Sequence, residues 1–192
     1  MAINHKEQTH EKLAILVFSG YGHTLKIAQA AAADTDAVLV EIDANGELDD
    51  DQWQQLHQAK GIIFAAPTYM GNVPWQFKKV ADATSGLWAE RAWQNKVFGG
   101  FTNSASFSGD KQVTLIWMQT LAAQHGGIWV SLGLLPANSK ETARNDVNVL
   151  GGSIGAMVQT PADASVDEIP AGDIETVKIY VARVSEIVDK LA

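Results

Sequence analysis

Five short apolar runs, separated by stretches of helical periodicity, constrain this chain more than any other feature. The runs fall at 13–18, 37–42, 61–66, 96–101 and 128–132. A short run that is apolar throughout, rather than at alternate positions, fits a strand covered on both faces. Helical segments are expected at 24–33, 49–59, 74–81, 110–125 and 173–191. In the last of these Val177, Tyr180, Val181, Val184, Ile187 and Val188 line one face. Such alternation implies a parallel sheet with helices on both sides. The expected fold is an α/β three-layer sandwich with a five-stranded parallel sheet in the order 2-1-3-4-5. It occupies one domain, 12–192, behind a flexible N-terminal segment, 1–11. Residues 133–170 read as irregular, and long loops of that kind usually carry function.

Ligands of such sheets bind beyond the carboxyl ends of the strands, where the winding reverses. In this order the reversal lies between the first and third strands. Three loops therefore face the expected site: 19–24, 67–73 and 102–110.

Composition narrows the chemistry. The 14 Lys and Arg against 22 Asp and Glu leave a net charge of −8, which repels a phosphate backbone. Lys78-Lys79 is the only adjacent basic pair, so no nucleic-acid partner is expected. Cysteine is absent, which removes disulfides, thiolate zinc sites and cysteine nucleophiles. The five histidines form no ligand pair at helical spacing, so no metal site is expected. No stretch approaches the length of a membrane span. The polar start carries no apolar leader, and a cytoplasmic location is expected.

The loops are neutral and rich in donors. Ser19-Gly-Tyr-Gly-His-Thr24 offers two hydroxyls, two glycines and the N–H groups of a helix start, which together suit an anion. Read alone, it is equally an ordinary turn with Ser19 and Thr24 as caps. Gly20-Tyr-Gly22 begins a dinucleotide fingerprint, but Leu25 or a neighbour stands where the third glycine belongs. Pro67-Thr-Tyr-Met-Gly-Asn-Val73 combines an aromatic ring, a thioether, a permissive glycine and an amide. The third loop, from Thr102 to Gly109, is small and polar with one phenylalanine, Phe107. Three such loops at one switch point favour a ligand with a phosphate and a planar ring.

These residues resemble the flavodoxin-like FMN proteins, and most closely the WrbA-type NAD(P)H:quinone oxidoreductases. Tyr21-Gly-His-Thr24 resembles the family's phosphate loop and Pro67-Thr-Tyr-Met-Gly-Asn72 its second flavin loop. Asp82-Ala-Thr-Ser-Gly-Leu-Trp88, Leu121-Ala-Ala-Gln-His-Gly126 and Gly151-Gly-Ser-Ile-Gly-Ala156 resemble three later stretches, in the same order. The resemblance implies a flavodoxin-like fold and FMN as cofactor, with NADH or NADPH as hydride donor. It implies that Ser19, Tyr21, Gly22, His23 and Thr24 hold the phosphate. Pro67, Thr68, Tyr69, Met70, Gly71, Asn72 and Val73 would line the ring, with Thr102, Asn103, Ser104, Phe107 and Gly109 completing the pocket. His125 would be the catalytic residue at the open ring face, and Trp88 would wall the substrate pocket, partly from a neighbouring subunit. The implied partners are a quinone or other small electron acceptor and further copies of the chain, as a homodimer or homotetramer. By its position alone, His125 reads equally as a helix-end residue satisfying carbonyls.

Two rival readings fit the residues less well. Gly151-Gly-Ser-Ile-Gly155 has the form of a nucleophile elbow, but no histidine follows His125 to serve it. A flavodoxin-type electron carrier would crowd acidic residues around its flavin, whereas 67–81 and 101–109 contain no Asp or Glu. That favours two-electron chemistry in a ping-pong sequence.

Overall fold

The computed structural model describes residues 12–191. The expected flexible segment, 1–11, lies outside the described residues. β1 (Leu13–Val17), β2 (Ala37–Glu41), β3 (Gly61–Pro67), β4 (Val97–Ser104) and β5 (Ile128–Trp129) pair in parallel in the order β2-β1-β3-β4-β5. The expected order therefore holds. All five residues of β1 and all seven of β3 are buried, as runs apolar throughout require.

The helices are α1 (His23–Ala32), α2 (Asp50–Gln58), α3 (Trp75–Ala83), α4 (Ser85–Ala89), α5 (Lys111–Gln124) and α6 (Ala171–Leu191). Successive strand side chains point to opposite faces of the sheet, so two cores form. Leu13, Ile15 and Val17 pack with Ile27 and Ala28 of α1 and with Val177, Val181 and Val184 of α6. Ala14, Leu16 and Phe18 pack with Leu56 of α2, Phe77 and Val80 of α3, and Leu115 and Met118 of α5. Asp49 starts α2 with a reciprocal capping box to Gln52.

The carboxyl edge departs from expectation. The fifth strand was expected over 128–132, yet regular pairing ends at Trp129. Val130 N–H still donates to the Phe98 carbonyl, but Leu132 N–H turns to Ser153. The chain returns as β6 (Ala156–Gln159), which pairs in parallel with Phe101 through Ser104 of β4. Two pieces thus share the place beside β4, and 130–155 is an excursion between them. Gly155 admits the return: a Cβ there would stand 2.2 Å from the Gly100 carbonyl oxygen. The stretch 133–170 is therefore not wholly irregular. Among the described residues, no helix is long and apolar enough to cross a membrane.

Candidate functional site

β1, β3 and β4 end at the same rim of the sheet, and the loops leaving them meet there. The first loop ends in Gly22, the N-cap of α1, in the left-handed region at φ 87 where glycine carries no steric cost. Thr24 is thus not the cap; it sits inside the first turn, buried. No side-chain oxygen caps α1 and its first turn holds no carboxylate. Its first N–H groups are left to serve an anion. His23 Nε2–H donates to the Ala164 carbonyl at 2.9 Å, which ties this loop to the segment after β6.

Thr68 anchors the second loop. Its hydroxyl bonds those of Thr102, at 2.8 Å, and Thr114, at 2.9 Å. Tyr69 and Asn72 exchange backbone hydrogen bonds across a tight turn, with Met70 at φ 49 and Gly71 at φ 77. Both central residues at positive φ make a type I′ turn. A methionine there is uncommon, and such strain clusters at ligand clamps. The Asn72 side-chain oxygen accepts from Val73 N–H at 2.8 Å, and Val73 packs into the core. The Tyr69 ring meets Tyr21 edge-on, with centroids 6.2 Å apart. Burial, and then the neighbouring Tyr21, push the Tyr69 phenol up, against the backbone hydrogen bond from Gly20.

The third loop leaves β4 at Ser104. Thr102 and Asn103 are buried beneath it, and Asn103 Oδ1 accepts from the Thr160 hydroxyl. Phe107 is exposed, with the Arg144 guanidinium 5.6 Å over its ring.

The three loops enclose a cleft of about 310 Å³. It brings together Ser19, Tyr21, His23, Thr24, Pro67, Thr68, Tyr69, Asn103 and Ser104 from the expected set. An adjoining hollow, sharing Thr68 and Ser104, adds Met70, Gly71 and Gly109, and is also lined by Asp110. Among the described residues, neither Asp nor Glu lines the main cleft. Ala105, Thr160, Pro161 and Ala162 also line it and were not expected. Ala105 lies in the expected third loop, whereas the only sequence signal for the other three is Pro161, two residues past a strand of four residues, too short to show a period.

Trp88 and His125 do not join this cleft. They share a separate hollow with Arg91 and Gly126. α5 has 14 residues, about 21 Å of helix, and carries the chain back to the amino end of the sheet. There Asn95 N–H meets the Gly126 carbonyl just before β4. His125 is buried, its Nε2–H donating to Thr84 Oγ1 at 2.9 Å and its ring 4.8 Å from that of Trp93. Burial pulls its pKa below the usual imidazole value. Within one chain His125 is therefore a buried helix-end residue.

The cleft fits FMN. An uncapped helix start free of carboxylates suits a phosphate, and the neutral walls of the second and third loops suit a flat ring with polar edges.

Known proteins agree. The family model described as NADPH-dependent FMN reductase matches residues 13–141. Flavodoxin FldP of Pseudomonas aeruginosa (strain UCBPP-PA14) is 62% identical over 180 residues, covering 94% of this chain and 98% of that protein. NAD(P)H quinone oxidoreductase PST3 of Candida albicans is 31% identical over 161 residues, covering 74% and 80%. The crystal structure of the WrbA-like flavodoxin from Agrobacterium tumefaciens superposes with a TM-score of 0.78 at 44% identity, covering 94% and 98%. This chain belongs to the NADPH-dependent FMN reductase family and is a flavodoxin-like FMN protein of the WrbA type.

Proposed function

We propose that the protein is an FMN-dependent NAD(P)H:quinone oxidoreductase. When bound, FMN supplies the redox chemistry, taking two electrons from NADH or NADPH and passing them to a quinone-like acceptor. The chain's part is to bind, orient and shield. Ser19, Thr24 and the first N–H groups of α1 hold the phosphate. Pro67, Thr68 and Tyr69 set one wall for the ring, and Asn103, Ser104 and the third loop set the other. Met70 and Gly71, at the tip of the I′ turn, border the open side where donor and acceptor alternate. Trp88 and His125 act at the ring only if a second copy of the chain brings them to the cleft, so the working assembly is a homo-oligomer.

The observation that carries this reading is the acid-free cleft. Carboxylates would oppose the negative charge that two-electron reduction places on the ring. The test mixes purified protein with FMN, then follows NADH and NADPH oxidation with and without a quinone. Rapid flavin reduction followed by quinone-dependent reoxidation is expected. Bound flavin that stays oxidised under both nucleotides overturns the reading.

One observation favours a second reading, an electron carrier without nucleotide turnover: the relative at 62% identity bears the name flavodoxin. The same experiment separates the two.

A further inference from the structure

Lys111 is the first residue of α5 and is fully buried. A charge is costly there for two reasons. Burial strips the ammonium of water, and the amino end of a helix already carries partial positive charge. Buried charges are ordinarily paired. Yet no carboxylate lies within ion-pair distance of Lys111 among the described residues. The nearby Asp173, in the first turn of α6, is taken by Arg144 of the excursion, whose two terminal nitrogens each donate to it at 2.8 Å. Lys111 Nζ donates instead to Ser104 Oγ at 2.6 Å and to the Ser106 carbonyl at 2.5 Å.

The charged groups around Lys111 are thus Arg144, Asp173 and, on its own element, the exposed N-cap residue Asp110. Inside the wall, two cations face one carboxylate. One positive charge stays uncompensated, a single hydrogen bond behind Ser104, and Ser104 lines the cleft. Such an arrangement calls for an anion in the cleft. On the proposed reading the isoalloxazine ring is neutral when oxidised. Uptake of two electrons and one proton from a reduced nicotinamide leaves it with one negative charge.

We propose that Lys111 is a positioning residue: it fixes the third flavin loop through Ser104 and Ser106, and its ammonium stabilises reduced, anionic FMN over oxidised FMN. The inference rests on the FMN reading. The lysine keeps its proton, and its charge acts across the loop. Burial lowers the lysine pKa to about 8, with Asp173 raising it and Arg144 lowering it further. A negative ring raises it again. The loop has other supports, since Gln159 Nε2 donates to the Ala105 carbonyl at 2.7 Å and Thr160 N–H to the Ser104 carbonyl. Removing the amine therefore leaves the loop standing.

The test compares wild type with Lys111→Met, each loaded with FMN. FMN affinity is read by fluorescence, and the midpoint potential by dye-linked titration across pH. Lys111→Met is expected to bind oxidised FMN within about threefold of wild type but reduced FMN at least about tenfold more weakly, a midpoint lower by about 30 mV for a two-electron couple. The wild type supplies a second readout that needs no variant. From about pH 8 to roughly pH 9, reduction takes up an extra proton on Lys111, so the potential falls more steeply, by about 30 mV per pH unit. Lys111→Met lacks this bend. Equal weakening of both redox forms, or a wild-type potential with no bend, makes Lys111 a loop brace only and overturns the proposal. A wild type that takes up no FMN overturns the proposed function instead.

Discussion

Thr24 stands inside the first turn of α1, where its hydroxyl adds a donor to the uncapped N–H groups. Thr24→Ala removes that donor from a phosphate. A hydrogen bond to a charged acceptor contributes about 1.5–3 kcal/mol, so FMN affinity should fall roughly tenfold to a hundredfold. Fluorescence titration measures this, with the urea midpoint as a folding control. Unchanged affinity at normal stability would place the phosphate elsewhere. Thr68 and Asn103 were legible because each lies at the carboxyl end of a strand that its apolar run made plain, and Thr24 because it opens the helix that follows the first strand. Lys111 was not. A lysine at a helix start reads as solvated, and its burial depends on the distant residues that cover it. His125 shows the opposite case. Its motif was legible by resemblance, yet the length of α5 carries it to the far end of the sheet.

At the scale of elements, Tyr180 shows how α6 secures the split edge. Its buried hydroxyl donates to the Val130 carbonyl at 2.6 Å and accepts from Gly100 N–H at 3.1 Å. One side chain thus joins α6 to β4 and to Val130, the first residue past β5. Tyr180→Phe leaves two buried backbone groups without that partner, at a cost of about 1–3 kcal/mol. Urea denaturation should show the loss while FMN affinity stays near wild type, because Tyr180 does not line the cleft. A large loss of affinity would mean that the split edge itself shapes the site. Five helices and four strands were legible from period and length; α4, five residues long, was not. β6 was not, because four residues cannot display a period. Its partner, the second half of β4, was free only because β5 stops after two residues.

Charge acts on the whole molecule. The chain carries a net −8, yet among the described residues no carboxylate lines the main cleft, so their surplus lies elsewhere. Photoreduction of the FMN-loaded protein should therefore pass from oxidised to fully reduced flavin with little build-up of a one-electron state. A large, stable one-electron state that NAD(P)H cannot produce or remove would favour the carrier. The same distribution of charge shapes stability at high pH. Burial lowers Lys96, aided by Lys60, and Lys111 from the ordinary 10.5 to about 8. Between those values the unfolded chain binds more protons than the folded one, so each lysine makes stability rise with pH, by at most about 1.4 kcal/mol per unit. The tyrosines act in the opposite sense. Burial raises Tyr180 and Tyr69 above their ordinary 10.0. Above that value the unfolded chain loses protons that the folded chain keeps, and stability falls as pH rises. Growing negative charge opposes the lysine effect throughout but falls off within about 10 Å at ordinary salt. The urea midpoint of the FMN-free protein should accordingly hold or rise from about pH 8 and pass its maximum near pH 10. A steady decline from pH 8 would mean that Lys96 and Lys111 keep their protons in the fold, held by their carbonyl and hydroxyl partners against the cost of burial.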